Sequence, residues 1–267
     1  MAWFKDTANA SMVAPSYRNP PWRWSAGWHR IRGNTDRCAW EVLDRKRFSE
    51  VSGSLASLYD SNQRPKPVVV YAFLVLSYAV TVPALFLPDI SEVLGGIEPR
   101  HYPWQRFTAV FVHGWPGFPA LVHLGLNTFL MLECGRPCER LLGSGRFLVL
   151  SVAALAASAA IMSLGDGVNG SSLVIWAWGP PLFVALRAAG RGAGDPGAAR
   201  IRAILVVMYG VVTLAMTLIP YAAGWRGNPL TAFLLGNQYH LVATAVGVVA
   251  ALTFSRRIHS RIGPSRG

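Results

Sequence analysis

Two polar side chains, His123 and Asn127, stand four residues apart in an otherwise apolar stretch of the chain. Residues at this spacing share one face of an α-helix. Because an unpaired polar group in hydrocarbon is costly, such residues in a membrane helix usually face the bundle interior or a wet cavity and mark a site. An asparagine amide and a neutral imidazole can both donate hydrogen bonds to a developing oxyanion.

Two further polar positions occur at comparable places in other apolar segments. The pair Ser171-Ser172 opens one segment, and His240 follows near the start of another. A serine is a poor nucleophile until a neighbouring base takes its proton, and His240 is the best candidate for that base. A serine, a base and a His/Asn donor pair are the components of serine hydrolysis. Within an apolar chain they predict an intramembrane serine protease.

Each of these residues also has a purely structural interpretation. A single serine in a membrane helix usually bonds its own helix or a neighbour, and Asn127 alone could join two helices. A histidine near a helix end is about as often an interfacial residue as a catalytic one. The four groups, however, come from three segments and are expected at one depth on one side of the membrane. That coincidence favours a shared site.

The composition is that of a membrane protein. The chain is 52% hydrophobic and only 14% charged, outside the ordinary soluble range. The net charge is +12. The enrichment of Lys and Arg in the cytoplasmic loops of membrane proteins explains this charge better than nucleic-acid binding does. The three cysteines form no even disulfide framework and lack the neighbours of a zinc site. We therefore predict neither a metal nor an organic cofactor, and no nucleic-acid partner.

Six apolar segments approach the length of about 20 residues that a helix needs to cross a bilayer. They are placed near 68–87, 117–134, 147–164, 171–188, 202–221 and 237–254. Arginines concentrate in the connections 135–146 and 187–202 and in the C-terminal tail. By the positive-inside rule these parts are cytoplasmic, so both termini are predicted inside. The candidate site groups then lie close to the outer surface.

The predicted organisation has three parts. Residues 1–66 form a cytoplasmic N-terminal segment, 67–255 an all-α membrane domain of six transmembrane helices, and 256–267 a basic cytoplasmic tail. We expect a multi-pass protein in a bacterial plasma (inner) membrane. Its partners would be the lipid bilayer and a transmembrane protein substrate. Neither the identity of that substrate, nor its cleavage site, nor an oligomeric state follows from the sequence.

Over about residues 68–255 the chain resembles the rhomboid intramembrane serine proteases. The motifs that carry the resemblance are Trp104-x-Arg106 with Phe111-x-His113, His123-x-x-x-Asn127, Gly135-x-x-x-Glu139-x-x-x-Gly143-Ser144-x-x-Phe147 and His240-x-x-Ala243-x-x-x-Gly247. The resemblance implies a six-helix rhomboid-type bundle that cuts transmembrane segments. Its catalytic groups are a serine and a histidine, without a carboxylate as a third member. The resemblance assigns the oxyanion hole to His123 and Asn127. Substrate would enter past the fifth helix, 202–221.

The serine motif departs from the family pattern Gly-x-Ser-Gly, because this chain reads Asn169-Gly170-Ser171-Ser172-Leu173. If Ser171 is the nucleophile, the residue that follows it in the sequence, Ser172, is small, as in the family pattern. This choice also aligns Gly179 with the family's glycine eight positions on. We favour Ser171 on these grounds, with His240 as its base.

Ser172 is the alternative nucleophile. It keeps Gly170 two positions before it and Trp176 four positions after it, where the family often stacks an aromatic ring on the histidine. It also puts Leu173 where a glycine is expected. Successive helix positions point about 100° apart, so only one serine can face His240. If neither does, the resemblance points instead to a catalytically inactive rhomboid-like protein that binds membrane segments as a chaperone or trafficking adaptor.

Overall fold

A computed structural model describes residues 55–60, 62, 66–95, 102–113, 118–162, 170–190, 195–222, 224 and 226–262. The chain divides into two compact units, Met1–Leu43 and Asp44–Gly267, and every described residue belongs to the second. Most of the predicted N-terminal segment therefore lies outside the described residues. The described part is all-α and contains no strand, as predicted. The boundaries predicted for the three parts stay predictions.

The helices follow one another with short breaks. In chain order they are α1 Val68–Phe86, α2 Pro88–Leu94, α3 Gln105–Thr108, α4 Phe118–Leu130, α5 Arg136–Leu142, α6 Ser144–Met162, α7 Ser172–Ile175, α8 Gly179–Ala188, α9 Pro196–Val206, α10 Thr213–Ala222, α11 Pro229–Thr253 and α12 Ser255–Ile262. A 3₁₀ turn, Leu55–Tyr59, precedes them, and a second one, Ala109–Phe111, follows α3.

Three described helical stretches are long and apolar enough to cross a membrane, namely Val68–Phe86, Ser144–Met162 and Pro196–Ile219. A fourth is reached if Gly236–Thr253 and the sharply bent Ser255–Ile262 count as one span. Ser172–Ala188 is apolar but shorter. Membrane-length apolar helices are thus present. The full count of six spans and the cytoplasmic position of both termini stay predictions.

Two of the predicted spans are interrupted at positions that matter for the site. The fourth consists of α7, a 3₁₀ turn at Trp176–Trp178, and α8. Pro180 and Pro181 stand in the first turn of α8, where a missing backbone N–H is tolerated. The fifth consists of α9, a π-helical stretch at Val207–Val212, and α10. Single π-turns of this kind often occur at functional sites.

The core is centred on Trp178, whose side chain is fully buried. Its ring lies 4.9 Å from that of Phe147 and 6.2 Å from that of Phe73, and its indole N–H donates to Ser151 Oγ at 3.0 Å. A Cβ at Gly135 would come within 2.8 Å of the same indole. Close packing of this kind stabilises membrane helices, and it explains why glycine opens the Gly135 motif.

Glu139 joins three elements at one end of the bundle. Its carboxylate accepts from the backbone N–H groups of Val69 and Val70, at 3.0 and 2.9 Å, and from Ser144 Oγ at 2.6 Å. The first two are otherwise unsatisfied donors at the start of α1. Gly143 turns the chain between α5 and α6 with φ +83°, a conformation that favours glycine. The motif 135–147 is therefore a structural connection.

Candidate active site

Gly170 brings the serine segment into direct contact with the predicted oxyanion pair. Its φ is +115°, and a Cβ there would lie 2.6 Å from His123 Cε1 and 3.4 Å from Asn127 Nδ2. Both the conformation and the space therefore require glycine. The Gly170 N–H also donates to Ala109 O at 2.9 Å, which ties the segment to the loop before α4. The backbone that precedes the two serines is thus held beside His123 and Asn127.

Asn127 carries a buried donor that no described residue uses. Its side chain is 1% exposed, and Nδ2 forms no hydrogen bond with the described residues. Buried polar atoms nearly always have a partner, so an exception in a native structure needs an explanation. His123, one turn earlier on α4, is half-buried. An anionic oxygen bound beside Gly170 would give the Asn127 amide the acceptor it lacks.

Ser171 is hydrogen-bonded to a histidine other than the predicted one. Its Oγ lies 2.9 Å from His113 Nε2, and its backbone N lies 3.4 Å from the same nitrogen. Both residues are buried, Ser171 completely. We predicted His240 as the base for Ser171, but no such bond is present among the described residues. The role of Ser171 stays a prediction, and its hydroxyl is engaged by the loop before α4.

The hydrogen-bond chain behind His113 defines which way the protons point. Thr81 Oγ1 donates to Phe111 O at 2.8 Å and lies 3.0 Å from His113 Nδ1. Because the threonine proton goes to the carbonyl, Nδ1 must carry the imidazole proton and donate it to Thr81. Nε2 is then the acceptor for Ser171. Burial lowers the pKa of His113, and His123 lowers it further, which keeps the ring neutral.

His240 lies against Trp176. The imidazole and indole rings are stacked with centroids 4.3 Å apart and planes at 13°. His240 is 7% exposed, and its Nδ1 forms no hydrogen bond with the described residues. Within the described chain, no hydrogen bond joins the imidazole to Ser171 or Ser172. The stack therefore fixes the plane of the ring without occupying its nitrogens.

Ser172, the alternative nucleophile, is the first residue of α7. It is half-buried and stands four positions before Trp176, and residues at that spacing lie above one another on a helix. Leu173, one position on, is 2% exposed, and its carbonyl accepts from Ser158 Oγ of α6 at 3.0 Å. The two serines thus differ in their surroundings, since Ser171 is buried and hydrogen-bonded to His113, whereas Ser172 is half-buried.

Tyr209 supports Trp176 from the fifth apolar segment. It lies in the π-helical stretch Val207–Val212, and its hydroxyl donates to Trp176 O at 2.7 Å. The two rings meet edge to face with centroids 4.9 Å apart. Gly179 makes room for the phenol, since a Cβ there would lie 2.4 Å from Tyr209 Oη. The fifth segment is therefore in contact with the ring on which His240 stacks.

Sequence reasoning missed three of these residues. His113 was quoted only as part of the Phe111-x-His113 motif, and nothing in its spacing connects it with Ser171. Thr81 and Tyr209 are single polar groups in apolar runs, for which packing against the local helix is the default expectation. In the described part of the chain, no group of three or more His, Cys, Asp and Glu side chains could hold a metal ion.

The comparison with known families agrees with the motifs. The family model of the Rhomboid domain matches residues 100–257, more than half of the 267 residues. The matched stretch contains His113, the His123/Asn127 pair, both serines and His240. No curated protein matches the chain. With the matched domain and its apolar helices, this chain belongs to the rhomboid family of membrane proteins.

Proposed function

We propose that this chain is an intramembrane serine endopeptidase that cleaves transmembrane segments of membrane proteins, with Ser172 as its nucleophile. The observation that carries the proposal is the stack of Trp176 on His240. Since Ser172 stands about one turn before Trp176, we expect it on the side of the segment that faces His240. The rhomboid family, which includes serine intramembrane proteases, acts on membrane proteins within the bilayer.

The site supports a two-step hydrolysis of a peptide bond. The hydroxyl oxygen of Ser172 attacks the scissile carbonyl while His240 takes the hydroxyl proton. The protonated His240 then gives that proton to the leaving amine, and the peptide C–N bond breaks. Water attacks the acyl-enzyme with His240 again as the base, which releases the carboxylate and restores the serine. Trp176 holds the imidazole in one plane, so no carboxylate is needed as a third catalytic residue to orient it.

The charge that develops on the carbonyl oxygen would be stabilised by α4. The Asn127 amide, which lacks another acceptor among the described residues, donates one hydrogen bond, and the His123 ring N–H donates a second. Gly170 allows the serine segment to approach both groups. Preorganised donors of this kind contribute much of the rate in acyl transfer, about 10²–10³-fold for a single donor.

In this proposal Ser171 is an anchor and not the attacking group that the motif alignment favoured. The hydroxyl of Ser171 is hydrogen-bonded to His113. Ser171 is also completely buried, whereas Ser172 is half-buried. A nucleophile must meet a peptide bond that arrives from outside the protein. Ser171 and His113 do satisfy the distance expected of a nucleophile and its base, so the experiment has to include them.

One observation favours the inactive alternative. Neither serine hydroxyl is hydrogen-bonded to His240 among the described residues, and Leu173 replaces the glycine expected after Ser172. A rhomboid-like protein that only binds membrane segments would need no Ser–His bond. Catalytic hydrogen bonds are often long in a free enzyme and shorten when substrate binds. The missing hydrogen bond therefore does not decide between the protease and the inactive protein. A direct test of the nucleophile does.

The test is labelling of the purified full-length protein with a fluorophosphonate, together with cleavage of a reporter transmembrane segment. We expect Ser172→Ala and His240→Ala each to abolish both signals, because loss of a nucleophile costs several orders of magnitude in rate. Ser171→Ala is the matched control and should keep most of the labelling. Retained labelling in Ser172→Ala, with loss in both Ser171→Ala and His113→Ala, would move the role to Ser171. A wild type that neither labels nor cleaves would support the adaptor.

A further inference from the structure

Helix α12, at the C-terminal end of the described chain, is short, basic and amphipathic. It bends by 68° away from the preceding apolar stretch Gly236–Thr253, so it lies across the end of the helix bundle. Ile258 and Ile262 are buried against the protein, while Arg256 and His259 are exposed. A helix of this kind lies at the depth of lipid headgroups if the preceding helix crosses the bilayer.

Three arginines converge where α12 meets the turn between α5 and α6. Arg261 donates from Nη1 to Arg140 O at the end of α5. Arg257 reaches the turn at Gly143, where its Nη2 lies 3.8 Å from the position that a Cβ would take if residue 143 were not glycine. Arg146 stands in the first turn of α6. Burial and the positive charges of Arg257 and Arg146 lower the pKa of Arg261, so both of these guanidinium groups lie near that of Arg261.

No acidic side chain of the described residues balances this cluster. The ion pairs in the described part of the chain join Glu133 to Arg136 and Arg200. Glu139, on α5, uses its two carboxylate oxygens for α1 and Ser144. Arg257 Nε is buried without a hydrogen-bond partner among the described residues. Like charges gathered without a counter-ion are unfavourable, and a bound anion would relieve the repulsion.

An apolar groove of about 420 Å³ begins beside the arginine cluster. It runs between α6 and α11 and is lined by Val149, Ala153, Val246, Val249, Ala250 and Phe254, among others. Val149 is three positions after Arg146, and Phe254 immediately precedes α12. These short separations along the chain put the arginine cluster near one end of the groove.

We propose that this groove and the arginine cluster together form a binding site for an anionic phospholipid. The guanidinium groups of Arg146 and Arg257 hold the headgroup phosphate, and one acyl chain lies in the groove between α6 and α11. Arginine suits a phosphate because its planar N–H donors match two of the oxygens. A free phosphate ion would use the cationic cluster but not the groove, and this difference separates the two sources of the anion.

Native mass spectrometry of the full chain with added phosphatidylglycerol tests the site, with phosphatidylcholine as the neutral comparison. We expect phosphatidylglycerol to be retained at collision energies that remove phosphatidylcholine. Arg146→Gln and Arg257→Gln should each weaken its binding roughly fivefold. Arg202→Gln, an exposed arginine on α9, is the matched control and should leave binding unchanged. Arg261 is not used because it also bonds Arg140 O.

A second variant tests the groove without changing a charge. Ala153 is exposed on α6, and Ala153→Phe should fill the groove and weaken phosphatidylglycerol retention while the protein stays folded, as circular dichroism would show. The proposal is overturned if Arg202→Gln reduces retention as much as Arg257→Gln does. It is also overturned if both lipids are retained equally, or if millimolar inorganic phosphate displaces the lipid completely, because the site would then bind a free anion.

Discussion

The indole of Trp176 lies flat on the imidazole of His240, with ring centroids 4.3 Å apart. This contact joins the fourth apolar segment to the sixth. Ser172 stands four positions before Trp176, whereas the adjacent Ser171 is hydrogen-bonded to His113. The stack is the observation that favours Ser172 over Ser171 as the proposed nucleophile.

Removing the indole should slow the reaction of the nucleophile. Aromatic pairs contribute about 0.5–1.5 kcal/mol beyond their buried area, so we expect Trp176→Ala to lower the fluorophosphonate labelling rate by up to about tenfold. Trp176→Phe keeps a ring on the imidazole and should retain most of the rate. Labelling of Trp176→Ala at the wild-type rate would mean that the stack does not orient His240 for catalysis.

The Ser171–His113–Thr81 chain should contribute to stability rather than to catalysis. Ser171→Ala and Thr81→Val each leave a nitrogen of the buried His113 ring with a poorer partner, at a cost of about 1–3 kcal/mol. Because both act on one ring, their effects should not add. Thermal unfolding in detergent measures the loss. If the double variant loses as much stability as the two single variants together, the two residues do not act through one hydrogen-bond chain.

Acid should weaken the same chain. The pKa of His113 is lowered by burial from the usual 6.5, so the folded protein binds fewer protons there than the unfolded chain does. The stabilising contribution is therefore complete above pH 6.5 and declines as the pH falls below it. His113→Gln removes the titrating group, and its melting temperature should fall less steeply with acid than that of the wild type. Identical pH profiles for the two proteins would exclude this role.

The helical architecture and the shared face of His123 and Asn127 could be predicted from the sequence, whereas the hydrogen-bond partner of Ser171 could not. Apolar runs determine where membrane helices begin and end, and a four-residue spacing places His123 and Asn127 on one face. Matched depth predicts that Ser171 and His240 lie in one layer of the bundle. It does not predict rotation about the helix axis, on which hydrogen bonds depend. His113 belongs to a loop, whose course no periodicity describes.

The predicted orientation in the membrane can be tested with single cysteines at the two ends of the bundle. Glu92 on α2 and Ser260 on α12 are both exposed, and Cys134 and Cys138 are buried. In a Cys38→Ser background, we expect a membrane-impermeant maleimide to label Glu92→Cys in intact cells. It should label Ser260→Cys only after permeabilisation. The opposite pattern would place the termini outside and reverse the predicted topology.

Tyr209 provides a way to ask whether the fifth segment affects His240, the proposed base. Its hydroxyl donates to Trp176 O, so Tyr209→Phe removes one hydrogen bond and leaves the edge-to-face ring contact in place. A typical hydrogen bond contributes about 0.5–1.5 kcal/mol, and we expect fluorophosphonate labelling to slow about two- to tenfold.

A conservative change on the same segment serves as the control for Tyr209. Val211→Ala alters an exposed side chain of the π-helical stretch and should label at the wild-type rate. If the hydroxyl of Tyr209 acts on His240 through Trp176, Tyr209→Phe should have little further effect in a Trp176→Ala background. Equal slowing by Tyr209→Phe in both backgrounds would show that Tyr209 acts by another route, such as general helix packing.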